Sequence, residues 1–278
     1  MKTITCNIPG SLHRALQERM KTDKESCDHV VSLALSQYLG KPIHTLFQVS
    51  TSAALVEGLY QGAVRVSRLL SHGDFGLGTF VDLDGEMVVL DGISYQISSN
   101  GSVGAVEGDR LVPYAVVTRF NAEFAKQVHQ LNGFNGLTSL CDKYRKSDNV
   151  FYAFRVEGRF SLVKTRVMKP VPKGTGLKAA ASGQEEFLFE ELKGTLVGLW
   201  APAFAASFSV PGYHFHFLSA DRQKGGHVLE CEALDVRIEG CALSEMHVSL
   251  PETAEFLKAD LTRDPQSDLA NAERNHEK

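Results

Sequence analysis

A chain of 278 residues with 22% charged side chains and a formal net charge of −4 can form one large domain or two smaller ones, and its composition is that of an ordinary soluble protein. No apolar run approaches the ~18 residues of a membrane span, and Met1–Pro9 lacks the apolar stretch of a signal peptide, so a cytoplasmic location is expected. The five cysteines are scattered and form no Cys-x-x-Cys pair, which argues against a disulfide framework or a cysteine metal site; a pI of about 6.2 gives no global reason to bind nucleic acid.

Thr3-Ile-Thr-Cys-Asn-Ile8 alternates polar and apolar residues as a short strand does, and Pro9-Gly10 ends it. Two helical patterns follow. The first runs from Ser11 to Lys21 with Leu12, Ala15, Leu16 and Met20 on one face. The second starts after Ser26 as N-cap, carries Val30, Val31, Leu33, Ala34, Leu35, Tyr38 and Leu39, and stops at Gly40-Lys-Pro42. Over residues 2–40 this strand-helix-helix pattern resembles the ribbon-helix-helix module of small bacterial DNA-binding proteins, in which two chains pair their strands. The resemblance implies that the outward strand residues Thr3, Thr5 and Asn7 would read bases. None of these is a cation, and within residues 1–41 six Lys and Arg stand against four Asp and Glu, so phosphate neutralisation is weak. Dimerisation alone therefore stands level with DNA binding, because a unit this small can scarcely bury its apolar face without a partner.

From Pro42 the chain becomes strand-rich. Ser50 to Gly58 reads as a short helix. Gly78-Thr-Phe-Val-Asp-Leu83, Glu86-Met-Val-Val-Leu90 and Ile93-Ser-Tyr-Gln-Ile97, separated by Asp84-Gly85 and Asp91-Gly92 and followed by the turn Ser99-Asn-Gly101, read as an antiparallel meander. Helical sequence is expected between Ala122 and Lys146, and strands over Val150–Val156, Arg159–Met168, Gly194–Leu199 and Val228–Leu250. Lys173 to Gln184 reads as a flexible connection, Pro251 to Lys258 as a short helix, and the polar tail after Thr262 as mobile. The expected fold is α+β: a module at 1–41, then a domain at 42–278 of antiparallel and mixed sheets with few helices, in two β-rich halves at about 42–170 and 171–278.

Within Pro211-Gly-Tyr-His-Phe-His-Phe217, His214 and His216 are two residues apart and so share a strand face, while Tyr213, Phe215 and Phe217 take the other. The polar run Ser219 to Gly226 reads as a chain reversal, and a return strand starting near His227 brings a third imidazole beside them. Three neutral nitrogens leave a coordination position open, the arrangement of catalytic rather than structural zinc; iron, manganese and nickel are the other candidates.

These histidines belong to a longer set of segments: Phe47-Gln-Val-Ser-Thr51, His72-Gly-Asp-Phe-Gly-Leu-Gly-Thr-Phe80, Leu83-Asp-Gly-Glu-Met87, Phe151-Tyr-Ala-Phe-Arg-Val-Glu-Gly158, Lys164-Thr-Arg166, Gly194-Thr-Leu-Val-Gly198, Gly212-Tyr-His-Phe-His-Phe217 and Gly225-Gly-His-Val228. In that order, from about residue 44 to the C-terminus, they resemble alpha-acetolactate decarboxylase. The resemblance implies a homodimeric zinc enzyme that converts 2-acetolactate to acetoin and carbon dioxide. It places the zinc on His214, His216 and His227, catalytic roles on Glu86 and Arg166, and substrate contacts on Thr79 and Arg166. A second glutamate from the family's tail falls on Glu273, with Glu277 as the alternative. Zinc chelated by the substrate's ketone and hydroxyl oxygens would stabilise the enediolate left by decarboxylation, Arg166 would orient the substrate, and Glu86 or Glu273 would protonate one face. Two other readings compete. One is a different three-histidine metal enzyme of cupin or carbonic anhydrase type, although a cupin usually adds a glutamate shortly after the His-x-His, where this chain has only Asp221. The other is a metabolite-sensing, DNA-binding regulator built on the same domain.

Overall fold

In the computed structural model the chain divides into two compact units, Met1–Ile43 and His44–Lys278, and the structure describes residues 3–23, 26–40 and 44–273. In the first unit, α1 (Gly10–Asp23) and α2 (Cys27–Tyr38) pack on each other. Ser26 caps α2 by accepting a hydrogen bond from the His29 backbone N–H at 3.1 Å. Residues 3–9 form no strand, contrary to the expectation from their alternation. A strand exists only by hydrogen bonding to a neighbouring strand, and the described residues of this unit supply none. Leu12, Val31, Leu35 and Tyr38 lie exposed on the two helices.

The second unit is built on two large sheets and a small one. Its strands are β1 (Thr45–Val49), β2 (Val64–Arg65), β3 (Phe75–Thr79), β4 (Glu86–Leu90), β5 (Ile93–Ile97), β6 (Val103–Ala105) and β7 (Leu111–Val112), then β8 (Tyr114–Thr118), β9 (Phe124–Val128), β10 (Phe151–Val167), β11 (Glu185–Ala201), β12 (Gly212–Ser219), β13 (Gly225–Leu243) and β14 (Glu245–Ser249). A seven-stranded sheet runs in the order β14-β1-β8-β3-β4-β5-β6, with the expected meander at one side. All its pairings are antiparallel except β1 with β14, so the sheet is mixed. A five-stranded sheet runs β10-β11-β12-β13-β9, and an additional pairing of β10 with β13 closes four of its strands into a ring. β2 and β7 make the small pair.

Four expectations need correction. The two sheets do not correspond to halves of the chain at 42–170 and 171–278: β9 and β10 belong to the five-stranded sheet, while β14 returns to the seven-stranded one beside β1. Sequential order does not dictate sheet membership when long antiparallel strands can carry the chain from one layer to the other. Residues 124–128, expected to be helical, form β9, because Phe124, Lys126 and Val128 repeat with period two and pair along the edge of β13; only Gly133–Asp142 of that stretch is helical. The connection at 173–184 contains a helix, Leu177–Ala181, whose Leu177, Ala180 and Ala181 are buried. Within the described part of the tail, the helix Gln266–Glu273 inserts Leu269 and Ala272 into the same apolar cluster, two anchors at helical spacing that a polar composition conceals.

The central strands of the seven-stranded sheet are covered on both faces, which is why β1, β4 and β8 read as near-continuous apolar runs. Leu46, Leu77, Val88 and Val116 meet Ala153, Val197, Leu199 and Leu218 between the sheets. Alternate residues Phe47, Met87, Val89 and Val117 pack outward with Val66 and Leu69 of the helix Val66–His72. On the far face of the five-stranded sheet, Phe154, Phe160, Phe215 and Phe217 pack with Leu137 and Cys141 of the helix Gly133–Asp142. Here the strands use glycine opposite aromatic residues: Gly198 pairs directly with Phe215, and a Cβ on Gly198 would collide with the Phe215 ring. Gly198→Ala is therefore expected to destabilise the unit by about 1–3 kcal/mol through overpacking. Because Phe215 stands between His214 and His216, the same variant should also weaken metal binding. A thermal melt with and without zinc checks both effects.

Candidate metal centre

The three histidines reach one point by the register of the strands. His214 and His216 lie on one face of β12 with Leu218, and β12 turns at Ser219 into β13, where His227 stands directly opposite His216. His227 is in turn directly opposite Arg166 on β10. Directly opposed residues share a sheet face, so His216, His227 and Arg166 form one row across three strands. In the seven-stranded sheet a second row is made by Tyr114, Thr79 and Glu86, each opposite the next across β8, β3 and β4. The rows meet in a cavity between the sheets, of about 40 Å³, whose walls also include Leu55, Met168, Leu177 and Val210. A space of this size between two sheets suits a small molecule rather than a polymer.

His214 Nε2 lies 3.1 Å from His216 Nε2 and 3.0 Å from His227 Nδ1, and the ligand atoms of the three residues all lie within 4.8 Å of one another. Two imidazole nitrogens bound to one tetrahedral zinc at ~2.0–2.1 Å would lie roughly 3.3 Å apart, so the spacing fits a shared cation. His216 Nδ1 donates to the Met87 carbonyl at 2.8 Å, which fixes the tautomer and leaves Nε2 as a lone-pair donor. Burial, followed by the charge of Arg166, pushes the His214 imidazole down to about 3, so it is neutral and able to ligate at neutral pH.

Glu86 is buried, with Oε1 accepting from the Met168 backbone N–H at 3.2 Å and Oε2 lying 3.5 Å from His216 Nε2. Arg166, 4% exposed, places Nη1 at 3.3 Å from Met168 Sδ and 3.2 Å from Gln184 Oε1. Its strand neighbour Lys164 instead pairs with Glu186 near the surface at 2.7 Å. The Thr79 hydroxyl donates to the Gly85 carbonyl at 2.8 Å, so this cavity-lining side chain also ties down the tight turn that presents Glu86.

The cavity thus gathers His214, His216, His227, Glu86, Arg166 and Thr79. Glu273 closes the helix Gln266–Glu273, but its side chain lies outside the described structure, as does residue Glu277 altogether. Thr3, Thr5 and Asn7 are exposed residues of the separate first unit. Gln184 and Leu177, absent from the expected site residues, come from the 173–184 connection. Its alanines and Leu177, good helix formers, were the available signal.

Fold and site together define a two-sheet protein in which three histidine nitrogens that could hold a metal ion face a buried carboxylate and guanidinium. The family model for alpha-acetolactate decarboxylase matches residues 46–263. The chain is 40% identical to the alpha-acetolactate decarboxylase of Methanosarcina mazei over 236 residues, covering 82% of this chain and 80% of that protein. It is 36% identical to the protein of that name from Brevibacillus brevis, with 84% and 82% covered. The crystal structure of alpha-acetolactate decarboxylase from Bacillus subtilis strain 168 superposes with a TM-score of 0.80 at 32% identity, covering 83% of this chain and 100% of that one. The chain belongs to the alpha-acetolactate decarboxylase family; the α1–α2 unit lies outside the matched residues. No helix among the described residues is long and apolar enough to cross a membrane.

Proposed function

We propose that this chain decarboxylates 2-acetolactate to acetoin and carbon dioxide in the cytoplasm, with zinc held by His214, His216 and His227. The observation that carries this reading is the convergence of three imidazoles, the Glu86 carboxyl and the Arg166 guanidinium on one small cavity in a chain of this family. Three nitrogen donors without thiolate suit zinc in its open catalytic form, and the fixed tautomer of His216 adds to the case. When bound, the metal supplies a Lewis acid for the electron pair that departing carbon dioxide leaves behind.

The chain's own groups do the rest. Arg166 meets the substrate carboxylate and turns it away from the histidines, since stabilising the leaving group in the ground state would oppose its departure. Leu55, Met168, Leu177 and Val210 limit water around the reacting carbon. Glu86, held by the Met168 N–H, delivers the proton that completes acetoin; Glu273 is the other candidate for that step. Thr79 keeps the Glu86 turn in place. Zinc-loaded protein is expected to release carbon dioxide from racemic acetolactate well above the spontaneous rate, with acetoin appearing in step; release at the spontaneous rate would overturn the assignment.

The exposed Leu12, Val31, Leu35 and Tyr38 favour a role for residues 1–41 in joining two copies of the chain over a role in reading DNA. Deleting residues 1–41 is expected to leave kcat and KM unchanged, and a folded but inactive truncation would make the module integral to catalysis. A salt-dependent mobility shift of upstream DNA by the full chain, lost on truncation, would instead establish the DNA-binding reading.

A further inference from the structure

The segment 173–184 contributes more than a wall to the cavity. After the helix Leu177–Ala181 the backbone turns, with Gly183 N–H donating to Ala180 O at 3.1 Å, and Gln184 arrives at the end of β10 just before β11 begins. Val167 pairs with Glu185 and Arg166 with Glu186 across those strands. The two glutamates are engaged at the surface, Glu185 by Lys169 and Glu186 by Lys164. At the adjacent position the chain carries an amide instead, and its Oε1 accepts from Arg166 Nη1 at 3.2 Å. An amide oxygen offers the same acceptor geometry as a carboxylate oxygen without a formal charge.

We propose that Gln184 is a positioning residue for Arg166. It fixes the rotation of the guanidinium towards the cavity and adds no negative charge that would compete with an anionic ligand for it. Met168 Sδ, 3.3 Å from the same Nη1, is the second brace. The inference rests on the proposed meeting of Arg166 with the substrate carboxylate. It predicts that a negative charge at position 184 discriminates between ligands by charge, while loss of the acceptor loosens anion binding more mildly.

The test uses zinc-loaded full-length protein and calorimetric titration with two probes, the anion 2-hydroxy-2-methylpropanoate and neutral acetoin. Gln184→Glu should weaken the anion by at least about tenfold, because its carboxylate satisfies the guanidinium, and leave acetoin affinity unchanged. Gln184→Leu, which has no acceptor atom, should weaken the anion by about threefold to tenfold, again sparing acetoin. Wild-type anion affinity in Gln184→Glu, equal weakening of both probes, or no binding of the anion to wild type would overturn the proposal. Carbon dioxide release by wild type is measured alongside, so failure of the decarboxylase reading registers separately from failure of the Gln184 role.

Discussion

His216→Ala purifies without stoichiometric metal, while wild type loaded in parallel retains about one zinc per chain: this is the result expected if the three imidazoles form the site. Removing a group that hydrogen-bonds a metal ligand typically costs about 10-fold to 100-fold in affinity, and removing a ligand should cost more. The variant also leaves the Met87 carbonyl without the His216 N–H that it accepts, in a region where both residues are buried, and this adds about 1–3 kcal/mol of destabilisation. Metal loss must therefore be separated from misfolding. His214→Ala does so, because it removes a candidate ligand while leaving the His216 contact to the Met87 carbonyl intact. Ligand binding to the native state raises stability by mass action, so wild type should gain Tm as zinc is added and both variants should not. Full metal content in either variant, or an undiminished zinc-dependent shift, would overturn the ligand assignment.

The candidate metal centre is more legible in the sequence than the groups around it, and the reason is geometric. His214 and His216 follow from a two-residue period, and His227 from a reversal inside one hairpin; both are local rules. Glu86 and Arg166 come from different sheets, and nothing in their local sequence fixes that β4 faces β10. Only the resemblance joined them. Residues 3–8 show the opposite failure. Their pattern is a strand pattern, but pairing is a property of two segments and a single sequence displays one. The helices at 177–181 and 266–273 are hidden in the sequence because polar, glycine-containing composition outweighs a few apolar anchors, Leu177, Leu269 and Ala272, whose burial depends on a distant core. Gln184 was invisible for the same reason, since its partner Arg166 is brought to it by the pairing of β10 with β11.

Glu86→Gln should retain zinc and fold normally yet turn over acetolactate about 100-fold to 10,000-fold more slowly, the usual contribution of a general acid. The substitution is close to isosteric, and its amide oxygen can still accept from the Met168 N–H, so the 3.2 Å contact linking β4 to the end of β10 is preserved. What it removes is the transferable proton of the acid form and the negative charge of the carboxylate form, 3.5 Å from His216 Nε2. Those two losses have different signatures. If the charge matters most, metal affinity changes and added zinc restores the rate. If the proton matters, zinc content stays at the wild-type level, the rate does not recover, and the stereochemical purity of acetoin falls as solvent protonates both faces of the intermediate. The second pattern is expected. A Glu86→Gln enzyme within tenfold of wild type, with chiral product, would transfer the donor role to another acid, and Glu273→Gln would then show the large loss instead. Loss in both variants would mean that two carboxyls share the work, one delivering the proton and the other setting its position.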